Sequence, residues 1–92
     1  MKTVFLNLKK KWFEKIKSGD KTHEYRLASS HWEKRLRGAD IADVRLGYPA
    51  ARQVERIMRF EIKSISIING KNTDLAVDAD VFDIALGKKL EV

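Results

Sequence analysis

Apolar residues recur at helical spacing in only two short stretches of this chain, and both precede Gly38. The first holds Leu8, Trp12, Phe13 and Ile16, and the second holds Trp32 and Leu36. Elsewhere the apolar positions alternate with a period of two, the mark of strands with one buried face. A doubly wound sheet, which needs a helix after every strand, therefore cannot continue past residue 38. The C-terminal part must be strands joined by turns.

Residues 2–8 read as a first strand, with Val4, Leu6 and Leu8 in phase. Ser18-Gly19 closes the first helix, because Gly tolerates the left-handed conformation that follows a helix end. A second strand runs roughly from Thr22 to Ala28, with Thr22, Glu24 and Arg26 on one face and His23, Tyr25 and Leu27 on the other. Ser30-His31-Trp32-Glu33 reads as a capping box opening a second helix that Gly38 ends. Ala42, Val44, Leu46 and Tyr48 give a third strand through residue 48, stopped by Pro49. Val54 to Ile68 is one long strand-like run. Met58, Phe60 and Ile62 share a phase there, and then Ile65 and Ile67 take over, so a bulge is expected near Lys63-Ser64. Val81 to Leu86 is a last strand with Phe82, Ile84 and Leu86 facing inward, and Lys88 to Val92 extends it past Gly87. The order β-α-β-α-β-β-β predicts an α+β fold, a small and strongly bent sheet or β-barrel of about five strands with two short helices. With 92 residues it is a single domain, 1–92.

No Cys is present, which removes a disulfide framework and a thiolate metal site. His23 and His31 have no third ligand that the sequence identifies, so neither a metal nor a cofactor is expected. The N-terminal apolar run is too short for a secretion signal, and none approaches the ~20 residues of a membrane-spanning helix. A cytoplasmic location is the resulting expectation. The formal net charge is +6, and it is unevenly spread: residues 1–38 carry +7, residues 39–68 carry +1 and residues 69–92 carry −2. Such polarity suits an anionic partner such as nucleic acid. It also suits a merely solubilising surface.

The stretch richest in chemistry is Ser18-Gly19-Asp20-Lys21-Thr22-His23-Glu24-Tyr25-Arg26. A helix ends and a strand begins at once, with Lys21 at the strand mouth. Glu24 and Arg26 share a face, roughly 7 Å apart at their bases. An acid between two cations can stay ionised and hold both in place. Lys meets a phosphate as a point charge, and Arg can grip one with two parallel hydrogen bonds. The plainer reading is a salt-bridge ladder on an exposed strand.

Gly19-x-Lys21-x-x-Glu24-x-Arg26 resembles the signature of the ASCH domain, a PUA-like superfamily implicated in RNA metabolism. The likeness extends more loosely to Ser30-His31-Trp32-Glu33-Lys34-Arg35-Leu36, to Gly47-Tyr48-Pro49 and to Phe82-Asp83-Ile84-Ala85-Leu86-Gly87, as in short bacterial and phage-type members. The resemblance implies a PUA-like barrel and a cleft for a nucleotide or single-stranded RNA, to which Lys21, Glu24 and Arg26 carry over. Some members are amidohydrolases acting on N4-acetylcytidine, with a motif like Gly-x-Lys-Thr-x-Thr-x-Arg whose second Thr is the proposed nucleophile. Here Thr22 matches the first Thr, but Glu24 stands at the second, which departs from that chemistry. Other members are reported as ribonucleases, for which Lys21 and Glu24 would form an acid–base pair.

Further side chains complete the candidates. Trp32 could stack a base or pack with Leu36. Lys34, Arg35 and Arg37 make a basic helix edge that could meet phosphates or simply be solvated. Tyr48 sits at a strand end, where it could face a barrel mouth or close the core. Lys9-Lys10-Lys11 could extend an electrostatic track. His23 points away from Glu24 by alternation, and His31 lies in the first turn of its helix. Asp74, Asp78, Asp80 and Asp83 match no calcium loop and read as a polar rim. Three functions follow. The first is an RNA-binding module using Lys21, Glu24, Arg26, Trp32, Arg35 and Tyr48. The second is a hydrolase, either a ribonuclease or a modified-nucleoside amidohydrolase, using Lys21 and Glu24. The third is a protein-interaction module.

Overall fold

The computed structural model describes residues 1–49 and 52–92. Five strands form one mixed sheet in the order β1-β3-β4-β5-β2, where β1 is Thr3–Leu8, β2 His23–Leu27, β3 Ile41–Leu46, β4 Ile57–Asn69 and β5 Asp80–Leu90. Helices α1 (Lys10–Ser18) and α2 (Ser30–Leu36) lie between β1 and β3 in sequence. β1 and β3 pair in parallel, and every other pairing is antiparallel. A parallel pair needs a long crossover connection. Here that connection carries β2 with it and delivers it to the opposite edge of the sheet.

The sheet is curled into a half-barrel, and one side chain measures the curl. In a flat five-stranded sheet the edge strands would stand about 19 Å apart. Yet Arg26 of edge strand β2 donates from Nη2 to the carbonyl of Asn7 on edge strand β1, at 3.2 Å. The pairing of β4 with β5 shifts register twice, between Phe60 and Ile62, where β5 carries the extra residue, and between Ile62 and Ser64, where β4 carries it. That is where the alternation of the sequence slips, because an extra residue leaves the ladder and twists the strand.

Inside the curl, Val4, Leu6 and Leu8 of β1 meet Ala42 and Val44 of β3, Met58 and Phe60 of β4, and Phe82 and Ile84 of β5. Phe13 and Ile16 of α1 and Leu36 of α2 close the same core. Burying a side chain of this size is worth about 1.5–3 kcal/mol, so the two short helices are held by packing rather than by their own propensity.

Several local expectations are corrected. The cap of α2 is Ser29, not Ser30: Ser29 is extended and its hydroxyl accepts from the Trp32 amide at 3.3 Å, while Glu33 pairs with Arg37 instead of closing a capping box. β3 ends at Leu46 rather than Tyr48, because Gly47 adopts φ 64° and turns the chain. Residues 54–56 form a turn of 3-10 helix before β4 begins. The second phase of β4 packs Ile65 against the core but leaves Ile67 exposed at 61%.

Gly70 places the loop between β4 and β5. A Cβ there would lie 2.6 Å from a Val81 methyl and 3.0 Å from the Val77 carbonyl. Only Gly lets the loop fold back so closely, and the residue that this loop presents to the rest of the molecule is Asp74.

Candidate nucleic-acid interface

α1 stops at Ser18, and Gly19 takes φ 88° with its amide bonded to Ile16 O at 3.1 Å. The Lys21 amide then bonds back to Lys15 O at 3.0 Å. This compact turn leaves Lys21 just ahead of β2, with its side chain lying along the strand. Its ammonium meets Glu24 Oε1 at 3.1 Å, and Arg26 Nη2 meets Glu24 Oε2 at 2.6 Å. Glu24 is thus a bridge with one oxygen for each cation. Lys21 and Glu24 are 9% and 7% exposed, so this is a buried network rather than a surface ladder. A charge desolvated to that degree is tolerated only when paired and hydrogen-bonded.

The Lys21 ammonium has two more partners, the His23 carbonyl and the Asp74 carboxylate. All three of its donors are therefore engaged. Arg26 Nε is buried without a hydrogen-bond partner. Each cation also lies against aromatic rings. Lys21 Nζ is 4.8 Å from the Tyr25 ring and 5.7 Å from the Trp12 ring, and Arg26 Cζ is 4.9 Å from the Trp32 ring. Ring faces attract cations at such distances, which fixes the orientation of both.

Two adjoining hollows open on this network. One of about 280 Å³ is lined by Lys15, Lys21, His23 and Thr22. The other, about 450 Å³, is lined by Asn7, Glu24, Arg26 and Trp32. Trp12, Tyr25 and Asp74 border both. Aromatic walls, fixed cations and a concave form are the elements of a site for a flat anionic ligand.

The other expected residues fall at different distances from this place. Trp32 packs partly buried on the core and also walls the larger hollow. Lys9 reaches the rim of that hollow, and Lys11 lies over Trp12 at 4.6 Å. Arg35 is elsewhere, around a hollow shared with Lys2, His31 and Lys34. Tyr48 is 93% exposed beside Lys10 and Arg56, so it neither closes the core nor joins Lys21. His31 stands edge-on to Trp32, with ring centroids 5.3 Å apart.

Two acids read as a polar rim are more than that. Asp74 pairs with Lys21, and Asp83 of β5 accepts from or shares a proton with His23 Nδ1 at 2.6 Å. Both partners are more than fifty residues away in sequence. The only sequence signal for them is four acids clustered in a basic chain. Tyr25, stacked on His23 with centroids 6.4 Å apart, has its phenol pushed above the ordinary value by burial first, then by the charges of Asp83, Asp74 and Glu24. Among the described residues, no group of three or more His, Asp or Glu is arranged to hold a metal ion, and no helix is long and apolar enough to cross a membrane.

The curled α+β half-barrel, with its buried Lys–Glu–Arg network where a helix turns into an edge strand, is consistent with the PUA-like class of domain. The ASCH domain family model matches residues 6–84, most of the chain, and the protein belongs to that family. Comparison with curated proteins returns no match.

Proposed function

We propose that this domain binds single-stranded RNA or a nucleotide in the two joined hollows. The observation that carries the reading is Glu24, buried and bridging Lys21 and Arg26, with Trp12, Tyr25 and Trp32 around them. Arg26 supplies the fork that grips a phosphate. The rings supply faces for bases, each stack being worth about 1–3 kcal/mol. Asp74 is the more exposed of the two carboxylates on Lys21, at 27% of its side chain against 9% for Glu24, and is the group an incoming anion displaces. The family and the excess of positive charge in residues 1–38 support the same reading.

Fluorescence anisotropy with a labelled single-stranded oligoribonucleotide tests it. Affinity is expected to fall linearly in log–log form as salt rises, with a slope of about −0.7 per phosphate neutralised. Binding that ignores salt, or none at low salt, overturns the proposal. Recovery of a protein partner after nuclease treatment, with no RNA bound, favours an interaction module instead.

A second reading is a hydrolase using Lys21 and Glu24, supported by their 3.1 Å contact. Under it, Lys21→Ala and Glu24→Gln abolish turnover of RNA or an acylated nucleoside while the fold is kept. Retained activity in both excludes it.

A further inference from the structure

The network just described leaves its own acid poorly placed to move a proton. Glu24 is 7% exposed and both its oxygens are already bonded. One residue away, on the other face of β2, His23 has the opposite properties. Its side chain is 43% exposed, its Nδ1 is fixed by Asp83, and the smaller hollow lies against it. A carboxylate on Nδ1 holds a neutral imidazole in the tautomer that leaves Nε2 as a base, and it stabilises the imidazolium formed when Nε2 takes a proton. No partner of Nε2 is found among the described residues.

The geometry points to His23 as the catalytic base of a phosphodiester cleavage, with Asp83 as the residue that positions it; this rests on the RNA-binding reading above. The charged and titratable groups around His23 are Asp83 from β5, Tyr25 on its own strand, Lys21 at the strand entry, Lys15 and Asp20 from α1 and its exit, and Asp74 from the loop after β4. A ribose phosphate in the 280 Å³ hollow meets Lys15 on one wall and His23 on another. The 2′-hydroxyl gives its proton to His23 Nε2, and its oxygen attacks the adjacent phosphorus. The P–O5′ bond breaks, and the departing oxygen takes a proton from water. The products are a 2′,3′-cyclic phosphate and a 5′-hydroxyl, and His23 returns its proton to solvent. No oxidant, reductant or further reactant is consumed.

The test uses the full chain with a labelled single-stranded RNA carrying every dinucleotide step, and with the same sequence as DNA. Cleavage of the RNA alone is expected, with a cyclic phosphate terminus identified by mass. His23→Gln and His23→Asn lower the cleavage rate at saturating RNA by about 10²- to 10⁴-fold, the usual worth of a positioned base. Asp83→Asn slows cleavage and moves the acid limb of its pH profile, which a purely structural residue would not do. RNA that is bound but left intact by the wild type overturns this inference alone. So does undiminished cleavage by both His23 variants, or equal cleavage of the DNA. Failure to bind RNA at all overturns both readings together.

Discussion

Among the described residues, two carboxylates are buried between two cations each, and only one of them sits at a candidate site. Glu24 lies between Lys21 and Arg26 at 3.1 and 2.6 Å, and Asp43 of β3 lies between Arg45 and Arg59 at 2.7 and 3.0 Å. As one acid between two cations the clusters match, although Lys21 has a second acid in Asp74. They differ in what surrounds them. Asp43 is fully buried but alternates with the core residues Ala42 and Val44, so it faces outward beneath its own arginines. Arg45 and Arg59 are 28% and 41% exposed and can turn to water, and Arg45 lies over the half-exposed Phe5 ring. The hydrogen bond from Arg45 to Asp43 holds that guanidinium protonated beyond the ordinary arginine range, against a smaller opposing effect of burial. Lys21 and Arg26, at 8% and 19%, have no such freedom, and the space beside them is concave. An ion-pair network therefore becomes a site through its walls and hollows, not through its charges.

That contrast can be broken by mutation. Glu24→Ala strands Lys21 and Arg26 in low-dielectric surroundings and is expected to cost about 3–5 kcal/mol, read by chemical denaturation. A loss below that would mean that Asp74 and the rings alone satisfy the cations. Next in size, Arg26→Ala is expected to weaken single-stranded RNA binding by about 10- to 100-fold, the worth of a charge-assisted hydrogen bond. Arg45→Ala, away from the hollows, should change it by no more than about twofold. Equal losses in the two variants would show that the outer cluster binds as well. Asp43→Ala is expected to cost about 1–3 kcal/mol of stability, since its arginines can be solvated once released, and to leave RNA affinity alone.

The smallest effect concerns Tyr25. Its phenol titrates above the ordinary 10.0, so the folded state holds that proton more tightly than the unfolded state. The resulting stability is fully present below the unfolded value and is lost as pH rises through the raised one. Tyr25→Phe should therefore match the wild type at neutral pH and lose less stability in the strongly alkaline range. In a Tyr48→Phe background, phenolate absorbance reports Tyr25 alone.

The sequence discloses the Glu24 bridge because its geometry is local. Lys21, Glu24 and Arg26 lie on one turn and one strand, where alternation decides which face each takes. The slip in β4 is visible for the same reason. What the sequence hides depends on distant chain. Asp74 reaches Lys21 only after the loop at Gly70 has folded back over Val81, and Asp83 meets His23 only in the register of β2 against β5. Ser29 and Ser30 offer the same hydroxyl, and which one caps α2 is settled by the path of the chain out of β2. Tyr48 is turned away by a positive φ at Gly47 that composition does not announce.

The two register shifts between β4 and β5 have a consequence for evolution of the domain by insertion or deletion. Side chains on a strand change sides with every residue. Lys63 is the spare residue of the second shift, so its loss leaves Ser64 against Ala85 and Ile65 against Ile84. Removing a residue from the regular stretch that follows, 64–69, would instead turn the later side chains to the opposite face and drag the following loop one step along β5. Asp74 would then miss Lys21. A length change of a single amino acid, some 40 positions from the signature motif, is enough to dismantle the pocket while leaving that motif untouched.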